Sequence, residues 1–329
     1  MSKENTAVTK KKIKRCKEDV VFDAACFIIL TLVLFVVAYP LYWVIISSIS
    51  APSAVSSGKV LLHPIGFTLK GYAEVFKNDQ VMRGFLNSLI ITFCGVMVNL
   101  IVTLPTSYAL SRSNFSGKKP ITIFYLITMF FGGGLIPTYL VIQRLQMLNT
   151  IWALILPGCL SVYNMIVART FFKSNISEEL YEAAEIDGCT QARFFFQIAL
   201  PLSKAIIAIL VLYYGVGHWN SYFSALVYIS DKAKYPLQLV LRNILITNQT
   251  ALSQTATTAA ARAALQEKQQ LIDVMKYSLI IISSIPVLVM YTGAEALCKG
   301  CYDRIHEGLI YSGNFFNDLS AARETAVCK

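Results

Sequence analysis

Apolar residues along the chain gather into uninterrupted stretches without Asp, Glu, Lys or Arg at residues 24–58, 85–111, 120–143, 146–168, 205–230 and 277–294. Each can hold the ~18–20 apolar residues that cross the hydrocarbon of a bilayer as a helix. Lipid offers no partner for open backbone groups, and the runs are continuous instead of alternating every second residue, so the pattern predicts helices and not a β-barrel. The expected architecture is an all-α polytopic membrane protein with six transmembrane helices. Pro40, Pro105, Pro137, Pro157 and Pro286 fall inside these runs. Kinks are expected there and not loops, because neighbouring helices re-satisfy the freed carbonyls.

Composition agrees with the pattern. Of 329 residues 55% are apolar and 15% charged, against roughly a quarter charged in an ordinary soluble domain. That excludes a disordered chain, a collagen and a secreted disulfide scaffold. Basic residues set the expected orientation. The first segment, residues 1–20, carries Lys3, Lys10, Lys11, Lys12, Lys14, Arg15 and Lys17, and the short link after the second run carries Arg112, Lys118 and Lys119. Both belong on the cytoplasmic side, which puts the N-terminus inside and, after six crossings, the C-terminus inside as well. The segments 59–83 and 231–268 also hold basic residues, but long loops weigh less in this rule.

The net charge of +10 is explained by basic flanks meeting anionic lipid headgroups. No nucleic-acid partner is expected, because no zinc-finger or RNA-binding signature accompanies the basic residues. A signal peptide would need a shorter apolar run and a small-residue cleavage site, so the first run is read as a span. The eight cysteines are scattered, with Cys26, Cys94 and Cys159 inside runs, and indicate no disulfide framework. Cys298, Cys301 and His306 lack the second pair of ligands that a structural zinc site needs, so no metal is expected.

The runs also lack the ionisable groups that ion-coupled carriers place inside the membrane. His218 is the exception, and a hydrogen-bonded packing role is expected for it. The run Gly132–Gly134 is followed by no Lys-Ser/Thr, so it is not a phosphate loop. Any uphill transport must draw its energy from another chain. A self-sufficient channel or secondary carrier for a small neutral solute is the alternative function, and a membrane enzyme would need a His, Asp, Glu or Cys cluster that the runs do not supply.

Attention therefore falls on the link between the fourth and fifth runs, residues 173–201. Ser177 can cap a helix whose first turn is acidic, which suits the positive end of the helix dipole. Gly188 can stop that helix in the left-handed conformation, Thr190 can cap a second one, and Pro201 can start the fifth span. The expected element is helix, tight turn, helix, with Ala183 and Ala184 as a small-residue face and Glu182 and Asp187 as acceptors at its ends.

Glu182-Ala183-Ala184, Asp187-Gly188 and Ile198, Leu200 and Pro201 match the E-A-A-x-x-D-G-A-x(8)-I-x-L-P loop of ABC importer permeases, with Cys189 in place of the usual Ala. Tyr108-Ala109-Leu110-Ser111-Arg112, Leu148–Leu154 and Trp219-Asn220 resemble the carbohydrate-importer branch, relatives of the maltose permease. Residues 130–137 and 235–242 resemble the subfamily that serves complex oligosaccharides with lipoprotein binding proteins. The likeness runs over about residues 20–291 and implies a type I importer permease fold in a domain of residues 21–292. It also implies a second homologous permease, a cytoplasmic ATPase dimer that binds the ATP, and an extracellular substrate-binding lipoprotein. The chain itself would need no cofactor. By this resemblance the 173–201 loop couples to the ATPase, with Glu182 and Asp187 anchoring a lever whose angle Gly188 sets. Tyr163, Asn164, Trp219 and Asn220 are candidates for the sugar pathway, and the Ala-, Thr- and Gln-rich segment 247–270 is a candidate face for the binding protein.

The tail, residues 293–329, departs from the family. These permeases continue Q-K-[YH]-F-V-K-G-V-M-I-G soon after the sixth span, whereas Tyr291 is followed by Thr-Gly-Ala-Glu-Ala-Leu-Cys-Lys-Gly-Cys-Tyr-Asp-Arg. Back-translating residues 294–304 and reading one base later allows Gln-Lys-His-Phe-Val-Lys-Gly-Val-Met-Ile-Gly. A frameshift after about Tyr291 is the expectation, with a genuine regulatory extension as the alternative; resequencing the 3′ end of the gene distinguishes them.

Overall fold

The computed structural model of the chain describes residues 17–251 and 269–295; the altered tail, Cys298, Cys301 and His306 lie outside them, as do the first basic residues and most of the 247–270 segment. The described residues form helices and connecting turns and contain no strand. Three apolar helices are long enough to cross a bilayer unbroken: Val21–Ser48, Asp79–Ser111 and Gln269–Glu295. Among the described residues three bent pairs are long and apolar enough when each is taken together, Lys118–Phe130 with Leu135–Arg144 at 113°, Trp152–Gly158 with Val162–Asn175 at 52°, and Gln191–Leu202 with Lys204–Trp219 at 80°. Counting each pair as one crossing gives six.

The proline expectation holds in part. Pro40 and Pro105 sit inside unbroken helices, and Pro286 inside Gln269–Glu295. The third run, in contrast, is interrupted by a loop. Gly132, Gly133 and Gly134 separate its halves, and Gly134 adopts φ +85°, a conformation that residues with a Cβ rarely take. In the fourth run Pro157 lies in a 3-10 turn, Leu156–Gly158, and Ser161 starts the next helix by accepting a hydrogen bond from the Asn164 amide. The fifth run ends its helix at Trp219 and resumes as Phe223–Tyr228.

Asp79–Ser111 is the helix on which the others assemble. It packs against Lys204–Trp219, Val162–Asn175 and Leu237–Ala251. Its buried face carries Gly84, Ser88, Thr92, Gly95, Asn99, Thr103 and Ser107, a stripe of small and polar residues spaced three or four apart. Burial of apolar surface does not drive helices together in lipid, so close backbone approach and interhelical hydrogen bonds must do it. Ser88 accepts from the Leu237 amide at 2.8 Å. Asn99 donates to the Gly158 carbonyl at 2.9 Å and meets His218 Nε2 at 3.0 Å. Thr103 and Tyr214 share a hydroxyl bond of 2.7 Å, and the Tyr214 hydroxyl accepts from the Ser161 amide at 3.2 Å. His218 therefore has the hydrogen-bonded packing role expected of it.

The N-terminal helix is different. Most of it is exposed, and it joins the rest at its C-terminal end, where Ile46 packs with Val55, Val60 and Val274. There Trp43 donates to the Val60 carbonyl at 2.8 Å and stands edge-on to Tyr277.

Gly95 is the tightest point of the central packing, since a Cβ there would lie 2.5 Å from His218 Nε2. Gly95→Val should push the imidazole off Asn99 and destabilise the bundle by about 1–3 kcal/mol. The purified protein should melt several degrees lower, whereas Gly217→Ala, where a Cβ meets nothing within 4 Å, should leave the melting temperature near that of the parent.

Candidate functional site

The 173–201 link folds as its capping residues dictate. The Ser177 hydroxyl accepts from the Leu180 amide at 3.3 Å and opens the helix Glu178–Ile186, whose first turn holds Glu178 and Glu179. Gly188 adopts φ +76°, and its amide bonds the Glu185 carbonyl at 3.0 Å. The Thr190 hydroxyl then accepts from the Arg193 amide at 3.3 Å. The second helix begins at Gln191, passes through a π-helical stretch at Phe195–Ala199 and reaches the turn Leu200–Leu202. Pro201 sits in that turn, just before the bend, and the fifth span proper begins at Lys204.

The two faces of this hairpin differ in chemistry. Inward, Tyr181, Ala184, Phe194, Phe195 and Ala199 join Leu104, Tyr108, Phe172 and Leu210 in one apolar core, with Ile198 and Leu200 packed against it. Outward lie Glu182, Ala183, Glu185, Ile186, Asp187 and Gly188. The expected pair of small residues is thus divided: Ala183 faces out, and Ala184 belongs to the core. Ile186 is 87% exposed, an apolar knob framed by Glu182, Glu185 and Asp187. Sequence reading passed over Ile186; its signal was a large aliphatic residue falling off the buried face of a short capped helix.

A second feature missed from sequence joins the hairpin to the second span. Arg112 follows the last turn of Asp79–Ser111 and is 9% exposed. Its guanidinium lies 3.7 Å above the centroid of the Tyr181 ring, with Tyr108 and Phe194 rings at 5.9 Å. It also meets Glu178 Oε2 at 3.2 Å, while Glu178 Oε1 accepts from the Ser113 amide at 3.3 Å. Tyr181 packs edge-on against Phe194 at 5.3 Å, and its hydroxyl is hydrogen-bonded to Gln191. One cation therefore touches residues from both hairpin helices and from the span. Arg169 adds a bond to the Leu110 carbonyl at 3.0 Å. The ion pair is half in solvent on the Glu178 side, so its own contribution is small; the desolvated stack of guanidinium on phenol is the stronger part, about 1–2 kcal/mol.

The four residues singled out for a sugar pathway do not converge. Trp219 is 1% exposed, donates from Nε1 to the Ser283 carbonyl at 2.9 Å and stands edge-on to Phe85, so it packs helices together. Asn220 ends the helix Lys204–Trp219 and is exposed. Tyr163 is also exposed. Asn164 lines a cavity in the bend of the fourth run.

No protein-family model matches the chain. It is 34% identical to the polygalacturonan/rhamnogalacturonan transport system permease protein YtcP of Bacillus subtilis, over 82% of this chain and 92% of that one. It is 36% identical to protein LplC of the same organism, over 82% of this chain and 89% of that one. The galactooligosaccharides transport system permease protein GanQ, also of Bacillus subtilis, is 29% identical over 73% of this chain and 85% of its own length. Among solved structures, a chain of a bacterial ABC transporter involved in the import of the acidic polysaccharide alginate superposes with a TM-score of 0.76 at 26% identity, covering 86% of this chain and 98% of that one. The chain belongs to the permeases of ABC carbohydrate transport systems, multi-pass proteins of the bacterial plasma membrane.

Proposed function

We propose that the chain forms half of the translocation pathway of an ATP-driven importer of oligosaccharides, pairing with a second permease and taking cargo from an extracellular lipoprotein. The cargo class rests on the relatives, whose names refer to polygalacturonan or rhamnogalacturonan and to galactooligosaccharides. ATP is bound and hydrolysed by a separate cytoplasmic dimer. Both chain termini and the 173–201 hairpin lie on the cytoplasmic side, in keeping with the basic residues at 1–20 and at Arg112, Lys118 and Lys119.

The observation that carries the coupling role is the hairpin's division into a core face and an exposed face. Glu182, Ala183, Ile186, Asp187 and Gly188 are free to seat in a partner, while Tyr181, Phe194 and Arg112 bind the same element to the second span. Short helices fixed by a turn transmit a rigid-body motion better than a slack loop does. ATP-driven movement of the partner would thus tilt the spans. Mild solubilisation of a tagged chain should co-purify a second permease and an ATPase, and recovery of the chain by itself would contradict the reading.

Substitutions at two positions separate angle from attachment. A Cβ at Gly188 would meet nothing within 4 Å, so Gly188→Val acts through the backbone, costing about 1–2 kcal/mol or more at positive φ. It should leave insertion and assembly intact and lower uptake per ATP hydrolysed several-fold; Gly188→Asn, better tolerated in that conformation, should restore much of it. Arg112→Met should uncouple as well. Arg112→Lys should be intermediate, since it keeps the charge and loses the planar stack. Both are read from paired uptake and hydrolysis rates in proteoliposomes, and unchanged ratios would remove the roles assigned to Gly188 and Arg112.

A further inference from the structure

Beyond Ser48 the chain does not leave the first helix. After the short helix Pro52–Ser56, an irregular segment, residues 59–69, folds back along the turns that precede Ser48. The Tyr42 hydroxyl donates to the Leu62 carbonyl at 2.6 Å, and Trp43 Nε1 holds the Val60 carbonyl. The Ile65 carbonyl accepts from the Ala51 amide, and the Thr68 amide donates to the Ile49 carbonyl, both at 2.9 Å. Gly66, at φ +65°, passes so near Ala51 that a Cβ there would lie 2.9 Å from the alanine Cβ. The segment is thus fixed to the helix, and Val60 is buried beneath it.

The helix sets the depth of that segment. Asp23 is its last charged residue, and the ~20 residues that cross the hydrocarbon, counted on from Ala24, end at Trp43. Tyr39, Tyr42 and Trp43 then form the aromatic belt that marks a bilayer edge, and residues 60–62 lie beside them at the same level. Non-helical backbone at that level needs its polar groups bonded within the protein, and the carbonyls of Val60 and Leu62 are. The side chains shown there are apolar: Leu61, Leu62, Phe67 and Leu69 are each more than half exposed. So many large apolar groups on one loop mark a contact surface. Lys59, His63 and Lys70 are exposed among them. Neither lysine forms an ion pair with a described residue, and no acidic residue occurs between Ser48 and Glu74.

We infer that residues 59–69 are a lipid-binding anchor, seated in the headgroup layer of the leaflet at the end of the bundle away from the 173–201 hairpin, with Leu61, Leu62, Phe67 and Leu69 against acyl chains and Lys59 and Lys70 against anionic phosphates. The helix Asp79–Ser111 places the two elements at opposite ends, since it starts after this segment and finishes at Arg112 beside the hairpin. Apolar groups at the acyl boundary and lysines at the phosphates are the two attractions that hold a protein element in an interface. The anchor also answers a need of the fold. The first helix is exposed over most of its length and joins the bundle at its C-terminal end, so a lipid-seated segment bonded to that end fixes its height in the bilayer.

The test places an indole in the segment and asks what surrounds it. Leu62→Trp is purified with whatever subunits accompany the full chain and reconstituted in phospholipid vesicles, and the emission of the parent, which holds Trp43, Trp152 and Trp219, is subtracted. The added emission should be mostly lost to phosphatidylglycerol brominated on its acyl chains and little affected by aqueous iodide. Quenching by iodide and not by the bromolipid would put the segment in water, and shielding from both would put it under another protein; either result overturns the anchor. If Leu62→Trp fails to assemble, Phe67→Trp decides by the same pair of quenchers. The charge contact is read separately. Brominated phosphatidylglycerol should quench more strongly than brominated phosphatidylcholine, and adding Lys59→Gln and Lys70→Gln should abolish that difference; a difference that persists would remove the lysines from the phosphates.

Discussion

The constraint on which this structure depends is the polar, small-residue stripe of the helix Asp79–Ser111. Water would drive apolar helices together; lipid does not, and the stripe replaces that force with short contacts and with the hydrogen bonds of Ser88, Asn99 and Thr103. Gly95 lets the fifth span approach until His218 reaches Asn99, and Asn99 in turn holds the carbonyl that the broken fourth span leaves open. Four residues further along, Thr103 meets Tyr214, which also receives the Ser161 amide. The same helix thus fixes the positions of the spans around it and makes the break in the fourth one tolerable. A polar cavity can exist in the bundle because its walls are hydrogen-bonded to this stripe.

The lower end of that helix is where movement would enter. Arg112 lies one residue past it, stacked on Tyr181 and paired with Glu178, both in the first helix of the hairpin. Tyr108, one turn earlier, packs against Phe172, Phe194 and Phe195. The hairpin is therefore continuous with the core of the second, fourth and fifth spans, and it cannot tilt without carrying them. Its outward face, Ile186 ringed by acidic residues, has no such commitment. A rigid inner attachment and a free outer knob are what a lever requires.

Much of this was legible in the sequence. The six charge-free runs coincide with three unbroken spans and three bent helix pairs, and Ser177, Gly188 and Thr190 drew the hairpin, because capping is local chemistry that no tertiary contact overrides here. The breaks were less legible. Hydropathy sums residues regardless of backbone, so Gly132–Gly134 and Pro157-Gly158 read as apolar while they bend the chain. Trp219 looked like a sugar contact because an indole suits both a glycan and a helix interface; its bond to the Ser283 carbonyl is a long-range fact. The partnership of Arg112 with Glu178 and Tyr181 joins residues more than sixty positions apart and leaves no periodic trace. The stripe of Ser88, Gly95, Asn99 and Thr103 did leave one, at helical spacing, but a search for apolar residues looks past small polar ones.

The central claim is that the exposed face of the hairpin seats in an ATPase. A photo-reactive amino acid in place of Ile186, irradiated in native membranes, reports what lies against that face. A cross-linked adduct with a nucleotide-binding subunit, whose yield changes when ATP hydrolysis is blocked, is the predicted result. An adduct with lipid alone, or with the ATPase at the same yield from a substitution at an exposed residue of the 59–83 segment such as Phe67, would contradict it.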